Sequence, residues 1–272
     1  MRFQLSAFAD EADGRLAQQI VILKENGIGY LEIRFVDGQN IADISCEKAK
    51  EIRSQLDDNG ISVWALGSPY GKIRLEDEFA PHLDKFKRSL DVAEILGTTR
   101  IRMFSFIPPV GEADAHEDEV MKRLEGFCDA VKGSQFMLCH ENEKGIYGDT
   151  ADRCLKIHQT FPQIRAVFDP ANFLHSNQDI VEAWKILSPY VEYLHIKDAV
   201  EDGTVVPAGQ GIGQIPYILE KFQGQVLTVE PHLGHFIGLD KLEAGQKTKL
   251  GYAYPSARAA FDAAVNALKE II

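Results

Sequence analysis

Long apolar runs are the first thing this chain lacks. No stretch approaches the roughly 18 consecutive apolar residues of a membrane-spanning helix, and the opening MRFQLSAFADEADG has no cationic segment followed by a long apolar one. A cytoplasmic protein without a membrane partner is therefore expected. Basic charge is also short: 29 Lys and Arg face 41 Asp and Glu, for a net charge of -12. That balance repels a phosphate backbone and offers no basic stripe for nucleic acid, so a small-molecule substrate fits better than a polymer. The four cysteines (Cys46, Cys128, Cys139, Cys154) show no CxxC spacing and no short secreted framework. They are expected to be reduced, buried small hydrophobes. No GxGxxG follows the first apolar run, which weakens a dinucleotide-binding reading.

What is present is ordinary globular material, 45% hydrophobic and 26% charged, arranged with unusual regularity. The helical stripe Leu16, Ile20, Leu23 closes at Gly27 before the strand IGYLEIR. Ala49, Ile52 and Leu56, behind the N-cap Ser45, close at Gly60 before ISVWALG. Phe79 to Ala93 closes at Gly97 before TRIRMFSF, and Val120 to Val131 closes at Gly133 before QFMLCHE. These glycines are 33, 37 and 36 residues apart, and glycine suits the left-handed position that ends a helix. Later helices stop at Pro162, Pro189 and Gly224, and SARAAFDAAVNALKEII ends the chain. Eight strand and helix units over 272 residues give 34 residues each. Alternation at this period implies parallel strands returned by helices. The predicted fold is α/β, a (β/α)8 TIM barrel occupying 1–272 as a single domain.

In such a barrel the carboxyl ends of the strands converge on one mouth. Four apolar runs end there in metal-capable side chains: FMLCHENEK with Glu141, AVFDPAN with Asp169, EYLHIKD with His195 and VLTVEPH with Glu230. Spacings of 28, 26 and 35 put them on strands five to eight. Two Glu, one Asp and one His make a hard, mixed oxygen and nitrogen set suited to one divalent ion, Mn2+ or Zn2+, with Mg2+ or Co2+ as further candidates. Glu32, Arg34, Trp64, Lys72 and Arg102 are candidates to line the mouth and bind substrate oxygens, a task that suits Arg in particular; alternatively Glu32 and Arg102 pair inside the barrel. Lys197 lies in phase with His195 and either faces the developing charge or pairs with Asp198 or Glu230. His140 has the opposite parity and packs behind the site, while the facing of His232 stays open. Leu233 to Tyr254, with four glycines, is long for a barrel connection and reads as a lid or a surface excursion.

Taken together and in order, CHENEKGIYGDT, FDPANF, HIKD and VEPH resemble the xylose isomerase-like TIM barrel superfamily, in its sugar phosphate isomerase/epimerase branch, across essentially the whole chain. Tagatose-type 3-epimerases and inosose dehydratases belong to that branch, and endonuclease IV is a more distant member. The resemblance implies one cation held by Glu141, Asp169, His195 and Glu230. It also implies a sugar, keto-sugar or sugar phosphate substrate worked on through a metal-stabilised enediolate. Glu141 and Glu230 would then remove and return the proton on opposite faces. The chain departs from the pattern where relatives carry histidines, at Glu143 and at Asn172, positions that touch substrate hydroxyls; His175 either substitutes or is solvated. The rivals are an inosose-type dehydratase with the same first step, an endonuclease IV-like phosphodiesterase, and a barrel that binds without turnover. Whether the chain forms a homo-oligomer is left open.

Overall fold

The computed structural model describes residues 2–236 and 249–272. Eight parallel strands close into a barrel: β1 (Gln4–Ala7), β2 (Tyr30–Ile33), β3 (Ser62–Gly67), β4 (Arg100–Met103), β5 (Met137–Glu141), β6 (Arg165–Phe168), β7 (Val191–Ile196) and β8 (Val226–Val229). Each strand pairs with its sequence neighbours, and β1 closes on β8 with Gln4 opposite Val226. Long helices follow most strands: α1 (Leu16–Glu25), α2 (Cys46–Asp57), α3 (Phe79–Leu96), α4 (Glu117–Val131) and α5 (Ala151–Thr160). After β6 come α6 (Pro170–His175) and α7 (Ile180–Leu187), then α8 (Ile215–Lys221) behind β7 and α9 (Ala257–Lys269) behind β8.

The local causes are legible in the side chains. Ser45, Thr150, Asp179 and Ser256 each accept a backbone N–H of the first helical turn, satisfying donors that a helix start would otherwise strand. Gly97 ends α3 at φ 74°, a left-handed conformation that costs glycine nothing. Apolar faces such as Val120, Leu124, Phe127 and Val131 of α4 are buried against the outer surface of the strands. Inside the barrel a separate cluster of Ala65, Cys139, Val167, Tyr193 and Val226, with Trp64 and Met137 against it, fills the floor. A filled interior leaves the carboxyl ends of the strands as the place where polar groups can meet.

Two features differ from expectation. The short helix α6 was not anticipated; it starts because Asp169 accepts the N–H of Asn172 (2.9 Å) and Pro170 supplies a preset φ at its first position. All four cysteines are free, but Cys46 is only half-buried because it opens α2 on the surface. The lid or excursion expected over Leu233–Tyr254 lies largely outside the described residues. Among the described residues no helix is long and apolar enough to cross a membrane.

Candidate metal centre

Strand geometry brings four distant residues together. Glu141 is the last residue of β5 and His195 the penultimate residue of β7, while Asp169 and Glu230 directly follow β6 and β8. They are 1%, 0%, 0% and 3% exposed in the order Glu141, Asp169, His195, Glu230, and one donor atom from each lies within 4.8 Å of the others. His195 Nδ1 is 3.2 Å from Glu141 Oε1 and 3.1 Å from Glu230 Oε2. Asp169 Oδ2, His195 Nδ1 and Glu230 Oε2 make no hydrogen bond; Lys197 Nζ gives Asp169 Oδ2 a charge contact at 2.8 Å. Buried polar atoms left without hydrogen bonds are costly. Three converging on one point, beside a fourth carboxylate oxygen, fit the donor set of a divalent cation.

Each glutamate is held from behind. Arg102 donates to Glu141 Oε2 at 2.7 Å, and Arg34 donates to Glu230 Oε1 at 2.9 Å. In both, the oxygen bonded to arginine is the one that does not face His195. Arg34 also binds Asp10 (2.9 Å) and Glu11 (3.3 Å). The ring of Phe8 lies between the two guanidinium groups, with centroid distances of 4.2 Å to Arg34 and 5.2 Å to Arg102. Burial works against the charge on Glu141, but without a bound cation the protonated His195 ring and Arg102 outweigh it and hold the carboxyl well below its usual range. Burial pushes Asp169 up to about 7, with Lys197 pulling the other way and the neighbouring Glu230 and Glu141 adding to the rise. Glu11 is likewise pushed up by burial, to about 8, against the pull of Arg34.

A sequence profile for the xylose isomerase-like TIM barrel matches residues 20–236. The chain belongs to this family. No curated protein matches it by sequence. Among solved structures its fold is similar to a probable 3-DHS dehydratase AsbF, involved in petrobactin synthesis, from Bacillus anthracis. That likeness has TM-score 0.75 at 16% identity and covers 99% of both chains. It is also similar to an IolI protein with a bound zinc atom (TM-score 0.75, 16% identity, 99% of this chain and 98% of that one). A third is a D-psicose 3-epimerase solved in the presence of D-fructose (TM-score 0.73, 17% identity, 98% of both).

Within this xylose isomerase-like barrel the other candidates fall into distinct places. Lys197 pairs with Asp169 and stands 3.6 Å from Glu230; the alternative pairing with Asp198 is wrong, because Asp198 turns away to accept backbone N–H groups. Asn172 donates to Glu141 Oε1 (3.3 Å) and to the carbonyl of Asn142 (3.0 Å). Lys72 binds Glu143 at 2.9 Å, so these two mouth residues meet each other. The suggested Glu32–Arg102 pair does not form as such: Arg102 binds Glu141, and Glu32 binds Tyr193 and His195. Trp64 is not brought to the mouth. It packs against Tyr30, Tyr193 and Arg100 at the amino-terminal end of the barrel, where Arg100 pairs with Glu192. His175 is half-buried, bonds the Gly203 carbonyl (3.2 Å) and is not in the cluster. His140 packs behind β5 on Ser105 (3.0 Å), and His232 faces Glu11 (3.3 Å) and Glu230 (3.6 Å). Asp10, Glu11 and Phe8 escaped notice as site residues. Their position directly after the first strand was the available signal.

Proposed function

We propose that this chain is a divalent-metal-dependent isomerase or epimerase acting on a small sugar, keto-sugar or sugar phosphate. The observation that carries the reading is the pair of glutamates on either side of His195 Nδ1. Each has one oxygen turned to the common centre and the other anchored to its own buried arginine. A divalent cation such as Mn2+ or Zn2+ held by Glu141, Asp169, His195 and Glu230 would bind adjacent substrate oxygens and stabilise the negative charge left by loss of a C–H proton.

The chain's own groups supply the proton transfers. Whichever of Glu141 and Glu230 is ionised takes the C–H proton on one face, and the other, carrying a proton taken up from solvent, returns one on the opposite face. Arg102 and Arg34 fix their orientation, which is where much of the rate advantage of a preformed site arises. Lys197 brings a positive charge beside Asp169 and Glu230, and the Asn172 amide takes the place of a histidine near Glu141. Fold likeness to a D-psicose 3-epimerase supports the reading.

The test is deuterium wash-in. Incubated with Mn2+ and a panel of ketoses and their phosphates in D2O, the protein is expected to return a product of unchanged skeleton carrying solvent deuterium. Glu141→Gln and Glu230→Gln should each slow this by at least about 100-fold, the lower range of general acid-base effects. A product lighter by one water would transfer the same site to dehydration. No exchange with any ketose by the metal-loaded protein would leave only a binding barrel.

A further inference from the structure

Glu32 is wholly buried in the barrel interior, and both of its oxygens are engaged. Tyr193 donates its hydroxyl to Oε1 at 2.8 Å, and Oε2 lies 3.0 Å from His195 Nε2. Tyr193 and His195 are two residues apart on β7 and so share a side, whereas Glu32 comes from β2 and reaches them across β1 and β8. An isolated buried carboxylate is strongly unfavourable, and a barrel interior is ordinarily filled with branched apolar side chains. The interaction with His195 therefore calls for a reason beyond packing.

Imidazole chemistry provides one. A neutral ring carries its hydrogen on one nitrogen and offers a lone pair on the other, and the partner of the first nitrogen decides which is which. We propose that Glu32 is a positioning residue that keeps the hydrogen of His195 on Nε2 and thereby aims the Nδ1 lone pair at the space shared with Glu141, Asp169 and Glu230. Tyr193 holds Glu32 in turn, and the edge-on rings of Phe8 (5.2 Å) and Tyr193 (5.5 Å) fix the plane of the imidazole. Carboxylates behind metal-bound histidines characteristically tune affinity without touching the ion. The inference rests on the metal reading of the four-residue cluster and adds to it a residue from a strand that carries none of the four donors.

Zinc affinity measured by competition with a chromophoric chelator tests it, on the full-length wild type, Glu32→Gln and Tyr193→Phe, with folding checked by circular dichroism. Wild type is expected to bind one Zn2+ per chain, and Glu32→Gln to bind it about 10- to 100-fold more weakly. Tyr193→Phe, which leaves the contact between Glu32 and His195 in place, should lose less. In the zinc-loaded wild type the Nε2–H proton of His195 should resonate far downfield in the NMR spectrum, and it should move upfield in Glu32→Gln. If Glu32→Gln does not fold, Glu32→Asp keeps the charge but withdraws it by one methylene and is expected to weaken zinc in the same direction. A variant that matches wild type in affinity and in the Nε2–H resonance overturns the inference and leaves the metal site standing. Failure of the wild type to bind zinc overturns the metal reading, and the inference falls with it.

Discussion

Replacing Asp198 by Asn should unfasten the loop that leaves the barrel after β7, although Asp198 touches none of the four converging residues. Its carboxylate is 1% exposed and accepts four backbone N–H groups: Ala199 and Gly213 on Oδ1 at 2.9 Å each, and Gly209 and Gly211 on Oδ2 at 2.9 and 3.0 Å. Closeness of the wrap requires glycine at 211 and 213, and a φ of 83° favours it at 209. A Cβ on Gly211 would meet Asp198 Oδ1 at 2.3 Å and the Ala199 carbonyl at 2.4 Å. Asparagine keeps one oxygen and turns the other into an NH2 donor, so two buried N–H groups lose their acceptor and face a donor instead. Stranding a buried N–H that had a charged partner costs about 2 kcal/mol. Two of them imply a loss of about 4 kcal/mol in unfolding free energy at constant m-value by urea denaturation. Amide hydrogen exchange of Gly209 and Gly211 should quicken in parallel. A loss below about 1 kcal/mol, or unchanged protection at these glycines, would refute the view that this one carboxylate organises the loop beside Lys197.

Two further outcomes follow from the same bookkeeping of buried charge. Arg102→Met leaves Glu141 buried without its arginine; in chelator-treated protein the expected loss is about 3 to 5 kcal/mol. Added Mn2+ should then raise the thermal midpoint more in this variant than in wild type, and an equal rise in both would contradict the clamp. The second concerns acid. His158 is fully buried and donates Nδ1–H to the Ile164 carbonyl at 3.1 Å, and burial pushes its pKa down to about 4. The unfolded chain takes up this proton near pH 6.5 while the folded one resists it, so stability is present above that value and is lost as pH falls toward 4. His82 and His140 are shifted downward by burial too, to about 4 and about 3. Between pH 7 and 5 His158 accounts for roughly 2 kcal/mol of that loss, so His158→Gln should flatten the pH profile of denaturation by that amount. A variant with the wild-type slope would remove His158 from the account.

The order of elements was readable because helix-closing glycines such as Gly97 and caps such as Ser45 are local devices whose chemistry is complete within a few residues. The four converging donors were readable because topology alone carries the carboxyl ends of parallel strands to one mouth. What was not readable depends on height and on choice of partner. Alternation in β3 tells which side Trp64 faces but not how far along the barrel axis it sits, and it proves to lie on the floor with Tyr193. Glu32, Arg34 and Arg102 are all plausible partners for several opposite charges. Only coordinates show Arg102 on Glu141, Arg34 on Glu230 and Glu32 on His195. Asp198 followed Lys197 in sequence and invited a pairing with it, yet four N–H groups from a glycine-rich loop offered the carboxylate a better set of donors.

The central claim is that residues 141, 169, 195 and 230 share a cation, and anomalous scattering from crystals of the full chain grown with Mn2+ addresses it directly. One strong peak per chain, within coordinating distance of Glu141, Asp169, His195 and Glu230, is the predicted result. Density showing those four side chains in place with no anomalous peak between them, or with manganese ordered only elsewhere, would contradict it.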